Sequence, residues 1–212
     1  MMNSETVIEN LMKAYPVLLK NRQSISESAA MLADAFRNGR KLLCCGNGGS
    51  ASDSLHIVGE LMKQFVVPRK IPADVEANLK TMFDDGEYIS RHLQGALPAI
   101  ALVGSSAIES AFTNDCAPDL VFAQQVLGLG KTGDILLGIT TSGNSRNVVY
   151  AAKVARAKGM KVIALTGEKG GEISEYADIL LNVPGTETFK IQELHLPVYH
   201  ALCMAVEIEI YG

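Results

Sequence analysis

Asp134-Ile135-Leu136-Leu137-Gly138-Ile139-Thr140-Thr141-Ser142-Gly143-Asn144-Ser145 is the stretch whose reading decides the fold. The five residues after Asp134 are an apolar run of strand length, as expected of a strand buried on both faces. Four hydroxyls then gather around one glycine, and Asn147, Val148, Ala151 and Ala152 follow at helical spacing, with Ser145 placed to cap that helix. Capping uses one or two of the hydroxyls; the others are free donors. A second junction of the same form lies upstream, where Lys41-Leu42-Leu43-Cys44 runs into Cys45-Gly46-Asn47-Gly48-Gly49-Ser50. Glycine lets the backbone approach a ligand, and a helix that starts there points its unpaired N–H groups and positive dipole end at it, so a phosphate can be held without a lysine cradle. Taken alone, Asn47 to Ser50 reads equally well as a tight turn.

Outward from these two turns the chain alternates. Apolar strands are expected at about 41–45, 98–103, 134–139, 161–166 and 179–183, separated by segments of helical period. Strand and helix in alternation predict an α/β three-layer sandwich, a five-stranded parallel sheet of flavodoxin-like order with helices on both faces, its post-strand loops on one edge. Two helices precede the first strand. Val7, Leu11, Tyr15, Leu18 and Leu19 mark one behind a cap at Ser4, and Ile25, Ala29, Leu32, Ala33 and Phe36 mark the other, ending near Gly39. A last helix spans about 191–210 around Pro197, where a kink or a helix start is expected. The 212 residues form one domain, 1–212, without a flexible linker.

A net charge of −4 with scattered Lys and Arg gives no basic face, which argues against nucleic acid or an anionic membrane as partner. Cys44, Cys45, Cys116 and Cys203 have neither CxxC nor zinc-ribbon spacing, and the adjacent pair should face opposite sides of its strand as reduced, apolar residues. No basic-then-apolar leader and no run of about 18 apolar residues is seen, so a soluble cytoplasmic protein is expected. Apolar helices near both ends suggest faces covered by other subunits.

His56 and Glu60 stand four residues apart on the helix leaving the first glycine turn, and so share a face. Gln192, Glu193, His195 and His200 lie on the last helix, where Gln192 and His200 can share a flank and Glu193 and His195 can equally be plain helix surface. Imidazole, carboxylate and amide oxygen suit a borderline divalent metal such as zinc, and suit proton transfer at a sugar carbonyl as well. Asn114-Asp115 is a turn or helix-end device, or an acceptor pair for sugar hydroxyls.

With these residues assembled, the chain resembles the sugar isomerase (SIS) domain and, within it, is similar to the phosphoheptose isomerases, which interconvert sedoheptulose 7-phosphate and D-glycero-D-manno-heptose 7-phosphate for surface-polysaccharide precursors. The likeness runs in order through Cys45 to Ser50, His56 with Glu60, Asn114-Asp115, Gly133 to Ser145, Leu165-Thr166-Gly167, and Ile191-Gln192-Glu193 with His200. It implies zinc bound by His56, Glu60, Gln192 and His200. It implies substrate contacts from Asn47, Gly48, Gly49, Ser50, Glu60, Asn114, Asp115, Thr140, Thr141, Ser142, Ser145 and Gln192, with Thr140, Thr141, Ser142 and Ser145 around the phosphate. Glu60 is the candidate base and His200 the candidate acid of an enediol isomerisation. A homotetramer with active sites between subunits is implied too.

Two departures from the family pattern stand out. A segment at about 67–96 is longer than usual by about 25 residues and carries the helix-like run Val75, Leu79, Met82, Phe83, Tyr88 and Ile89, a candidate wall or lid for the pocket. Gln64 stands where the family has an arginine and Phe189 where it has an aspartate, and Arg69, Lys70 or Arg91 is expected to replace the missing charge. The alternatives are an isomerase of another ketose phosphate, and a non-catalytic SIS regulator or scaffold of the kind that binds the replication initiator.

Overall fold

A computed structural model describes residues 3–212. Five parallel strands, β1 (Leu42–Gly46), β2 (Ala99–Ala101), β3 (Ile135–Ile139), β4 (Lys161–Thr166) and β5 (Ile179–Asn182), form one sheet in the order β2-β1-β3-β4-β5. This is the expected flavodoxin-like order, and each expected strand is present within one or two residues except β2, which is trimmed to three. The order reverses between β1 and β3, whose register pairs Gly46 with Ile139. Both anion-type turns therefore leave the same edge side by side, at the crevice where open α/β sheets bind ligands.

Strand alternation sorts the core into two layers. Leu42 and Cys44 pack with α1 (Ser4–Ala14), α2 (Arg22–Arg37), α3 (Gly49–Met62) and α9 (Thr188–Tyr211), while Leu43 and Cys45 pack with α7 (Val121–Leu129) and α8 (Arg146–Ala157). The adjacent cysteines do face opposite ways, as the period of two requires, and all four are free thiols. Two N-terminal details differ from expectation. Asn3 caps α1 through its side chain in place of Ser4, and Pro16 breaks the periodic run so that Leu18 and Leu19 lie on a separate 3₁₀ turn, Pro16–Asn21. Pro197 sits inside a continuous α9. Among the described residues no helix is long and apolar enough to cross a membrane.

The segment at 67–96 folds as α4 (Ala73–Met82) and α5 (Gly86–His92), followed after β2 by α6 (Ser106–Asp115). No residue of α4 is buried, and Met82, Phe83 and Tyr88 are exposed.

Candidate functional site

Neither helix at the crevice is closed by the side chain of its cap residue, although the Asn147 side chain takes one first-turn N–H of α8, that of Val148. Gly48 precedes α3 with φ +57°, a conformation that favours glycine, and makes no cap bond. Ser145 stands at the cap position of α8 as expected, but its hydroxyl does not close the helix; it pairs with the Thr140 hydroxyl at 2.9 Å. The hydroxyls therefore face each other across the turn, and the dipole ends of both helices stay open. A cavity of about 320 Å³ lies there, lined by Asn47, Gly48, Gly49, Ser50, Thr140, Thr141, Ser145, Thr188 and Gln192 among others. Gly49 makes its wall possible: a Cβ on it would lie 2.5 Å from Gln192 Nε2. Ser142 faces the neighbouring depression with Thr141 and Lys169. Gly143, at φ +70°, lets this turn pass so close to the Gly170 carbonyl that a Cβ would overlap it.

Further along the α3–α9 pair two of the chain's four imidazoles meet. His56 Nε2 is 3.4 Å from His200 Nε2 and 3.4 Å from Glu60 Oε1, the second Glu60 oxygen pairs with Lys63 at 3.0 Å, and the Phe65 ring lies against His200. Burial, then the neighbouring His56, hold the His200 imidazole below its ordinary pKa. Tyr199 and Asp53 support this group from inside, with the tyrosine hydroxyl 3.0 Å from His56 Nδ1 and 3.3 Å from Asp53 Oδ1. Burial pushes the Asp53 carboxyl up, partly offset by Tyr199 and His56.

The donor chemistry can be set against a zinc ion. Two ligand atoms at about 2.0–2.1 Å from zinc, at tetrahedral angles, stand about 3.3 Å apart. Both contacts of His56 Nε2 have that length. Two imidazoles and one carboxylate with an open side fit the three-ligand pattern of catalytic zinc. Among the described residues no group of three or more His, Cys, Asp or Glu is arranged to hold a metal ion as it stands, so the fit rests on the donor types and on the two contacts of His56.

Not every expected residue joins the two clusters. Gln192 lies against Gly49, eight residues before His200 and so about 12 Å back along α9. Asn114 and Asp115 end α6, exposed and bonded to each other, and neither is among the residues lining the cavity. His195 is not surface: it is fully buried, with Nε2 3.3 Å from the Thr166 carbonyl, and burial pushes its pKa down to about 4. The substitute-charge expectation is corrected for Arg69, which is buried and bonded to Glu207 at 2.6 Å and to the carbonyls of Leu61 and Glu60. None of the residues lining the cavity comes from 67–96. Sequence reasoning passed over Asp53, Tyr199, Asn147 and Thr188. The spacing Asp53–His56 and the neighbours Tyr199–His200 were the available signal for the first two.

An α/β sheet with an anion crevice at its switch point and a histidine–carboxylate cluster beside it defines a SIS-type sugar-phosphate protein, and the SIS domain family matches residues 80–167. A phosphoheptose isomerase of Clostridium acetobutylicum is 36% identical over 211 residues, covering 98% of this chain and 95% of its own. Solved phosphoheptose isomerases of Neisseria gonorrhoeae (34% identity, TM-score 0.72, 96% of this chain and 92% of that one) and Francisella tularensis (32%, 0.73, 97% and 98%) share the fold. The chain belongs to the phosphoheptose isomerase family.

Proposed function

We propose that this chain interconverts sedoheptulose 7-phosphate and D-glycero-D-manno-heptose 7-phosphate, supplying heptose for surface polysaccharide, in the cytoplasm. The observation that carries this reading is the junction of two parts: an open anion cavity at two uncapped helix ends, and a His–Glu–His cluster farther along the same helix pair. The phosphate binds at Thr140, Thr141, Ser142 and Ser145, with Asn47 to Ser50 and Gln192 on the sugar. Glu60 takes the proton from the carbon beside the carbonyl, the freed electron pair forms the enediol double bond, and His200 gives a proton to the carbonyl oxygen. Return of the proton to the former carbonyl carbon, while the hydroxyl on the carbon first deprotonated loses its proton and becomes the new carbonyl, completes the exchange.

His56, Glu60 and His200 would hold zinc, which when bound supplies a Lewis acid for the oxyanion; because coordination lowers the basicity of Glu60 and blocks the ring nitrogen of His200, their metal and proton-transfer roles would alternate during turnover. The family resemblance adds Gln192, whose amide rests against Gly49 and would have to swing from the loop; zinc affinity unchanged in Gln192→Ala removes it from the set. A homotetramer with shared sites is supported by Asn114 and Asp115 lying off this chain's cavity and by exposed Val17, Leu19, Phe83 and Tyr88, and light scattering tests it. The decisive experiment incubates the protein, with and without zinc, with five-, six- and seven-carbon ketose phosphates and follows solvent proton exchange beside the carbonyl. Exchange confined to the seven-carbon sugar is expected, with Glu60→Gln reducing it by about 10²–10⁴-fold while phosphate binding persists. Exchange with none would leave a sugar-phosphate-binding regulator; exchange with a shorter sugar would change the substrate.

A further inference from the structure

The tyrosine hydroxyl between His56 and Asp53 has one proton to give and two neighbours to satisfy. Asp53 Oδ2 is buried without a hydrogen-bond partner, so the 3.3 Å contact from Tyr199 is the bond this carboxylate keeps on its inner side. An ionised carboxylate only accepts, and that contact therefore takes the tyrosine proton. The oxygen of Tyr199 is then an acceptor toward His56, and the 3.0 Å separation from Nδ1 requires the ring to carry its proton there. The opposite arrangement, with Tyr199 donating to Nδ1, would strip the half-buried Asp53 of this bond while its Oδ2 stays buried and unpaired.

We infer that Tyr199, anchored by Asp53, is a positioning residue that holds His56 as the Nδ1–H tautomer and aims its bare Nε2 at the space shared with Glu60 and His200. The inference deepens the metal reading and rests on it. Ring nitrogens that bind metal depend in this way on a partner at the other nitrogen, which fixes both tautomer and ring angle. A hydroxyl relays the carboxylate here. Tyr199 is itself locked, only 2% exposed and packed edge-on against both imidazoles. Consecutive residues of α9 thus serve one point: His200 presents a nitrogen directly, and Tyr199 sets the nitrogen offered by α3.

Tyr199→Phe keeps the ring and deletes the relay. In the metal-free protein, histidine side-chain ¹⁵N spectra should show His56 protonated at Nδ1, and the variant should move that signal toward the other tautomer or a mixture. Zinc affinity, measured by chelator competition, should fall by about 10–100-fold. Asp53→Asn, which leaves Tyr199 in place with a weaker acceptor, should change both readouts in the same direction by less, and stands in should Tyr199→Phe fold poorly. An unchanged His56 signal, or zinc affinity within twofold of the parent despite a bound ion, overturns the relay. A parent protein that binds no zinc, yet shows the tautomer shift in Tyr199→Phe, overturns the metal reading and leaves the relay standing.

Discussion

At its loop end the α3–α9 pair lines an open cavity with uncharged groups, Gly48, Gly49, Ser50 and Gln192, whereas at its far end Arg69 and Glu207 form an ion pair with no solvent exposure. Glu207 accepts from the backbone N–H groups of Phe65 and Val66 at 2.7 Å and of Val67 at 3.2 Å, and Arg69 binds the last carbonyls of α3. One end is left free to receive an anion that will bring its own charge. The other is charged, dry and saturated, and it fixes the turn of α3 that carries Glu60. On the proposed function, position is supplied where Glu60 stands and adaptability where the sugar phosphate would enter.

The largest effect should come from breaking the locked end. Arg69→Met leaves the Glu207 carboxylate buried without its cation, and the expected loss is about 3–5 kcal/mol in urea unfolding. Adding Glu207→Gln should recover part of it, since the amide oxygen still accepts from the loop without a buried charge. No recovery would show that the backbone bonds, rather than the charge, carry the lock.

A pH titration separates the same two ends. His195 lies buried near the loop side of α9 with its pKa pushed down to about 4, so the folded chain holds it neutral while the unfolded chain protonates it near 6.5. The unfolded state then binds more protons between these values, and stability falls as pH drops from about 6.5 to 4, by up to about 1.4 kcal/mol per unit. His195→Asn, which does not titrate, should flatten this part of the unfolding curve; an unchanged slope would move its source elsewhere.

At the open end single groups should matter less. Thr140→Val or Ser145→Ala removes one of two hydroxyls that hold each other at 2.9 Å. Each should raise the KM for the sugar phosphate roughly tenfold, about 1.4 kcal/mol, with kcat little changed. A fall in kcat with KM intact would mean that the turn serves the reacting carbons and not the phosphate.

The fold was legible because buried parallel strands announce themselves as short apolar runs, and Ile135 to Ile139 and Val162 to Leu165 do so without ambiguity. The two turns and the pair His56–Glu60 were legible for the same reason, being local in the chain. Glu207 and Arg69 were not. A charged residue reads as surface until a partner 138 positions away is placed beside it, and Arg69 was accordingly expected at the ligand. Tyr199 was hidden likewise, as one more apolar-faced residue in a helix, until α3 came within reach of its hydroxyl. Pairings across the sheet and between distant helices carry no local period, and they are what the structure adds.

The smallest expected effect tests whether the two turns act as one. Asn47 and Asn147 exchange amide hydrogen bonds at 2.9 and 2.8 Å, tying the glycine turn after β1 to the first turn of α8. Asn147 also accepts from the Val148 N–H, so it is held from its own helix while it steadies Asn47. Both side chains are reached by solvent, and a lost neutral bond of this kind is worth about 0.5–1.5 kcal/mol at most. Asn147→Ala should therefore raise KM two- to fivefold without touching kcat, while Thr140→Val in the same background should cost less than its effect alone, because a cradle already loosened on one side gains less from the other. Strictly additive effects would mean that the two turns bind independently, and that their adjacency on the sheet edge is topology without cooperation.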